Sequence, residues 1–398
     1  MRSLTSLAGL LSVLAAVTAL PQADNATIQG FTKEGLAVMN AEMKKWVDTK
    51  QGAGVVTLLA RNGEIVDHSA YGVMDSSAAT KSEIQKDSIF RIMSMSKPIV
   101  GVLMMMFFED GKFKLDDDVS KHVPEFANLK VKNGSQMVPQ ATPMKMFQLL
   151  SHSAGFASML TVPSPTLGTI IEPLIKAQLG FQPGKDWQYG PGVEVQGYLI
   201  EKWAGKDLSD ILQERLLVPL GMKDTGFWVD PSKVSRVPKV VSARSGSISV
   251  LPMSVPTSKP KKLFPSGGLH GTAQDYFLLC QMLLNGGEYK GKRYLKKETV
   301  DLMHKNVLEP GVKVKFGEPA GIGFGLDFAI VLDPKPGNNN QPKGSYYWGG
   351  LYGTWFWIDP VNNVTFVGLI QNIGAPMTGP TSLRQISAKA AYAAMKSS

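Results

Sequence analysis

A single cysteine, Cys280, in 398 residues excludes an internal disulfide, so the fold must be held by packing. Cys280 lies in the apolar run Tyr276 to Leu284, which has helical spacing, and this assigns it a packed thiol rather than a reactive one. The five histidines, His68, His122, His152, His270 and His304, never fall at His-x-x-x-His spacing, so no helix-borne metal site is expected. Phosphate loops, dinucleotide fingerprints and a Gly-x-Ser-x-Gly elbow are also missing, and no cofactor is expected. After residue 19 no apolar run approaches the roughly 20 residues of a membrane span; Ile99 to Phe108 has about half that length. The net charge of +9 comes from dispersed lysines, the densest group being Lys259-Pro260-Lys261-Lys262 in a Pro/Ser-rich loop, which argues against a nucleic-acid partner. No fixed-period repeat occurs, and nothing in the sequence specifies an oligomeric state.

What is present begins with a leader. Arg2 precedes the apolar stretch Leu7 to Val17, which ends at the small-residue site Val17-Thr18-Ala19, so residues 1–19 read as a secretory signal peptide and the mature chain as secreted. Sequons at Asn25, Asn133 and Asn363 fit passage through a glycosylating route. With 43% hydrophobic and 19% charged residues, the chain can build one large core or two coupled ones.

Apolar residues from Phe31 to Val47 recur at helical spacing. Val55 to Ala60 and Ile65 to Tyr71 flank Asn62-Gly63, a strong hairpin signal. Ser88 to Ile92 predicts a short strand leading to Ser94, and Lys97 to Phe108 a buried helix with Pro98 in its first turn. Near the end, three strand-like stretches, Ile322–Leu332, Tyr346–Ile358 and Val364–Gln371, precede a closing helix over Ser382–Met395. The pattern predicts an α/β (α+β) fold in which an antiparallel sheet is flanked by N- and C-terminal helices. Residues 20–114 and 311–398 build the sheet domain, residues 115–310 form a mostly helical insertion, and the active site lies between them.

A serine hydroxyl needs a partner to remove its proton and a dipole to stabilise the charge that follows. Ser94-Met95-Ser96-Lys97 supplies both, because residues three apart share a helix face and the helix N-terminus brings free N–H groups to Ser94. If desolvated among the methionines and phenylalanines that follow, Lys97 favours its neutral form and can act as a base. Ser-x-x-Lys occurs again at Ser258 to Lys261, but among Pro252, Pro256 and Pro260, where no helix can hold the pair together. Taken alone, a serine at a helix start is an ordinary cap.

The surrounding motifs decide otherwise. Phe90-Arg91-Ile92-Met93-Ser94-Met95-Ser96-Lys97-Pro98, Leu149-Leu150-Ser151-His152-Ser153-Ala154-Gly155, Pro183-Gly184-Lys185-Asp186-Trp187-Gln188-Tyr189 and Ser266-Gly267-Gly268-Leu269-His270-Gly271-Thr272 follow in order along nearly the whole mature chain. Together they resemble the serine β-lactamases and penicillin-binding proteins, most closely the class C branch with its esterase and acyltransferase relatives. That resemblance implies Tyr189 as the proton-transferring tyrosine and Trp348-Gly349-Gly350-Leu351 as the strand edging the pocket. Trp348, Gly349 and Gly350 would then touch substrate, and the Leu351 N–H would join the Ser94 N–H as an oxyanion hole, the glycines letting backbone approach the substrate carbonyl.

Two departures bear on substrate. Trp348 stands where the β-lactamases carry the lysine of Lys-Thr-Gly, and Pro191 where an asparagine usually follows the tyrosine by two. A cation for a substrate carboxylate and an amide-recognising side chain are both gone. The expectation is a secreted serine hydrolase forming an acyl-enzyme on Ser94, a carboxylesterase or acyltransferase whose partner is a small ester or thioester. Its alternatives are a β-lactamase or D-amino-acid peptidase using the same residues, or a secreted binding protein that kept only the fold.

Overall fold

A computed structural model describes residues 27–396 except 158–161, 245 and 338–339. The leader reading for residues 1–19 and the sequon at Asn25 lie outside the described residues. Helix α1 (Lys33–Asp48) is capped by the Thr32 side chain, which accepts from the Gly35 N–H, and it buries Leu36, Met39, Met43 and Trp46. Strands β1 (Gly54–Arg61) and β2 (Glu64–Gly72) form the hairpin that Asn62-Gly63 predicts, with φ of 54° and 84° at the two turn residues.

Helix α2 (Ser96–Glu109) is buried from Ser96 to Phe107, which is why its sequence is apolar all round. It packs against α3 (Gly192–Ala204). Helix α4 (Ala273–Leu284) lies within the 115–310 stretch yet packs on the sheet, against the strands formed by residues 54–61, 355–359 and 364–370. A periodic apolar face announces a helix but not what the helix covers. Cys280 on α4 is fully buried, and burial pushes its thiol well up.

The C-terminal region adds β3 (Ile322–Phe324), β4 (Ala329–Val331), β5 (Tyr346–Gly349), β6 (Trp355–Asp359) and β7 (Val364–Ile370). These are five strands where three stretches were expected, because tight turns at Gly325–Phe328 and Gly350–Thr354 split two of them. Asp327 and Gly353 take the positive φ values, 64° and 85°. The seven strands make one antiparallel sheet in the order β3-β4-β5-β6-β7-β1-β2. The N-terminal hairpin joins the C-terminal strands through β7 and β1, with Val364–Ile370 paired along Arg61–Val55. Helix α5 (Leu383–Ala394), capped by Ser382, lies against α1, where a Cβ on Gly35 would come within 2.5 Å of Ala394 Cα. The sheet is therefore flanked by the N- and C-terminal helices on one face and covered by α4 on the other. No described helix is long and apolar enough to cross a membrane.

Candidate active site

Phe90–Arg91 is the short strand predicted before Ser94, and it pairs with His270–Gly271. Ser94 itself sits in a 3-10 turn, Met93–Met95, ahead of α2 rather than in its first α-helical turn. In 3-10 geometry residues i and i+3 eclipse, so the Ser-x-x-Lys spacing still stacks the two side chains. Lys97 Nζ lies 3.3 Å from Ser94 Oγ. Met93 takes φ of 48°, a conformation a bulky residue keeps only when its surroundings hold it. The holding groups are visible. Leu269 O accepts from Ile92 N, Thr354 Oγ1 donates to Ile92 O, Gln371 Nε2 donates to Arg91 O, and the Tyr276 hydroxyl donates to Met95 O.

Lys97 is buried and donates to the Ser266 carbonyl at 2.8 Å, and its amine stands 4.5 Å from the centre of the Tyr189 ring. That contact explains the Ser266-Gly267-Gly268-Leu269 motif, which brings a carbonyl to the amine. Its glycines avoid Phe264, whose ring a Cβ on Gly267 would meet at 2.7 Å. Tyr189 is buried, and Trp348 Nε1 donates to its hydroxyl at 3.3 Å. Behind the tyrosine, His152 receives the Gly190 N–H on Nδ1 at 3.4 Å and packs 4.6 Å from the Tyr189 ring. Burial, with Lys97 adding to it, holds the His152 imidazole well below its ordinary pKa, so it is a neutral buttress.

Trp348 and Gly349 close the opposite wall, with Gly350 just behind it. Strand β5 runs against the Ser94 turn, and Leu351, exposed, follows in the Gly350–Thr354 turn. The glycines have a packing reason besides the expected approach to substrate. A Cβ on Gly350 would lie 2.3 Å from Thr354 Oγ1, 2.5 Å from the Ile92 carbonyl oxygen and 3.1 Å from Met93 Cβ. The fold thus gathers Ser94, Lys97, Tyr189, Trp348, Gly349 and Leu351 around one cavity of about 130 Å³, while Gly350 stands just behind its wall.

Sequence reasoning missed several contributors. Phe264, Phe316 and Met377 complete an apolar wall, and Lys97 is the one charged side chain among the described residues lining it. Phe316 comes from a loop without regular pattern, packed 4.9 Å from the Tyr189 ring. Glu194, in the first turn of α3, is buried and accepts from Ser266 Oγ. Asp327 in the β3–β4 turn is buried as well, with Oδ1 receiving Gln196 Nε2 at 3.4 Å and Oδ2 unpartnered. The one available signal was charge out of place: Glu194 interrupts the run Gly192-Val193-Val195 on a helix otherwise directed into the core.

A family model described as Beta-lactamase matches residues 38–386. Esterase EstB of Burkholderia gladioli is 27% identical over 83% of this chain and 88% of its own length. The lovastatin esterase of Penicillium rubens is 26% identical over 84% of this chain and 92% of its own. Among solved structures, EstCE1, described as a hydrolase with promiscuous acyltransferase activity, superposes with a TM-score of 0.78 at 24% identity, covering 90% of this chain and 99% of that one.

Proposed function

The chain belongs to the Beta-lactamase family and is a serine hydrolase, and from that premise we propose that it is a carboxylesterase or acyltransferase working through an acyl-enzyme on Ser94. The observation that carries the reading is the 3.3 Å approach of Lys97 Nζ to Ser94 Oγ inside a pocket whose remaining walls are aromatic and aliphatic. Lys97 takes the Ser94 proton as Oγ attacks the acyl carbon. Indole N–H is a donor only, so the Tyr189 oxygen accepts from Trp348, which leaves its hydroxyl free to turn toward the departing alcohol or thiol and give it a proton. The Ser94 and Leu351 N–H groups receive the oxyanion, and water or a second alcohol then releases the acyl group.

The substrate class follows from the walls. Without a second cation in the pocket, a carboxylate such as that of a β-lactam has no partner, which favours neutral esters and thioesters. A cavity of about 130 Å³ is close to the roughly 150 Å³ that holds benzene, which favours a small acyl group. Hydrolysis of chromogenic acetyl to hexanoyl esters tests this. Activity is expected with short acyl groups and lost in Ser94→Ala, with an acyl mass on Ser94 in the intact protein after an ester and none after a penicillin analogue. Undiminished turnover by Ser94→Ala refutes the assignment.

Secretion is proposed on the leader composition of residues 1–19, and glycosylation on the exposure of Asn133 and Asn363. N-terminal sequencing of protein recovered from the medium should begin after Ala19, and glycosidase treatment should lower its mass.

A further inference from the structure

Behind Ser94 the fold seals off more ionisable groups than the acyl-transfer scheme uses. Lys97 is faced by Tyr189 from the segment before α3, Glu194 from α3 itself, Asp327 from the β3–β4 turn and His152 from the loop after residue 150. His152 is neutral for the reasons given. Asp327 has one carboxyl oxygen without a partner and the other at a long 3.4 Å contact, and burial pushes its pKa well up, so it stands as the neutral acid. Glu194 differs. Ser266 turns its hydroxyl to the Glu194 carboxylate and its carbonyl to Lys97 Nζ, so one residue ties the acid to the amine. Burial raises the Glu194 pKa above the usual carboxylate range, but Lys97, the Ser266 hydroxyl and Lys262, which also faces it, oppose that rise, and both the amine and the hydroxyl are arranged to meet an anion.

We propose that Glu194, acting through Ser266, is a positioning residue that fixes Lys97 against Ser94 and supplies the negative charge facing the ammonium formed when Lys97 takes the serine proton. The inference rests on the acyl-enzyme reading of Ser94 and Lys97. In the acylation step the proton leaves Ser94 Oγ for Lys97 Nζ, the Oγ–carbon bond forms, and the carbonyl π pair moves to its oxygen. Glu194 neither gains nor loses a proton. The arrangement is that of a nucleophile, its base and a third group orienting the base, with a serine inserted between the last two.

The test is the pH dependence of kcat/KM on a short-chain ester, and of Ser94 labelling by a fluorophosphonate, in wild type, Glu194→Gln, Glu194→Asp and Ser266→Ala. Glu194→Gln keeps the shape and an acceptor for Ser266 Oγ but deletes the charge. The rate should fall about tenfold or more, part of the roughly 10²–10⁴ that a positioned base contributes. The acid limb should move to lower pH by about one unit, because an ammonium without its counter-charge releases its proton more readily. Glu194→Asp should recover part of the rate, and Ser266→Ala, which leaves the carbonyl on Lys97 but cuts the link, should shift the limb in the same direction by less. An acid limb that stays in place in Glu194→Gln, whatever its melting temperature, overturns the proposal, since a purely structural carboxylate gives that result. If Glu194→Gln does not fold, the limb in Ser266→Ala decides by the same criterion. Ser94→Ala run in parallel separates the two levels: activity there defeats the site reading itself, while an inactive Ser94→Ala beside an unmoved limb defeats the role of Glu194 alone.

Discussion

Replacing Gly350 by alanine tests whether the wall opposite Ser94 is held at a fixed distance by the absence of one side chain. The new Cβ would meet the Ile92 carbonyl at 2.5 Å and Met93 Cβ at 3.1 Å, whereas ordinary contact begins near 3.4 Å. Thr354 Oγ1, at 2.3 Å, can rotate away, but only by giving up its hydrogen bond to Ile92 O. The Ile92 oxygen belongs to backbone that is already bonded, so the turn carrying Leu351 has to retreat by nearly an ångström from the turn carrying Ser94. A misplacement of about 1 Å at reacting groups costs on the order of 100-fold in rate, and overpacking of this kind costs about 1–3 kcal/mol of stability. The assay is kcat for a short-chain ester beside a urea melt. The expected outcome is a folded protein with a slightly lower midpoint, kcat down about 100-fold and KM changed far less. A Gly350→Ala enzyme within threefold of wild-type kcat would show that the two oxyanion donors do not depend on this contact.

Two further outcomes follow from the same geometry. His270 is buried, and burial together with Arg91 lowers its pKa to about 4 from an ordinary 6.5, outweighing the nearby Gly226 and Gly268 carbonyls. Because the folded state resists the proton that the unfolded state accepts, its contribution is complete above pH 6.5 and is lost as pH falls towards 4, a total of about 3 kcal/mol. Urea unfolding of wild type and His270→Gln between pH 7 and 4 should show the wild type losing that much more than the variant; parallel curves would refute it. Trp348→Phe keeps the bulk of the wall but removes the donor to Tyr189, and it should lower kcat about three- to tenfold with KM nearly constant, read by steady-state ester kinetics.

The elements legible in the sequence are those fixed by local chemistry. Asn62-Gly63 dictates a turn type, and the apolar residues of α1 and of the run around Cys280 in α4 recur at helical spacing. Ser94, Lys97 and Tyr189 were legible through ordered motifs, and the fold brings them to one cavity. The splitting of Ile322–Leu332 and Tyr346–Ile358 into hairpins had a signal in Gly325 and Asp327 and in Gly349, Gly350 and Gly353, residues that favour turns, but the β-branched and aromatic residues on either side read as continuous strand. Glu194, Asp327 and Phe316 were hidden as site residues because what they touch lies far off in the chain, and neither spacing nor composition records a partner.

The pairing of β7 with β1, which joins the C-terminal strands to the N-terminal hairpin, also governs how the molecule comes into being. As the chain leaves the ribosome, the hairpin of residues 54–72 is made early but keeps one long apolar edge open until residues 364–370 emerge to cover it. Completion of the sheet therefore waits on synthesis of residues 364–370, and every intermediate before it carries an edge able to pair with another nascent chain. Loss of the last strand by premature termination leaves a product that aggregates rather than one with partial activity, and recombinant yield should respond more to slower synthesis or chaperone supply than to changes on the finished surface.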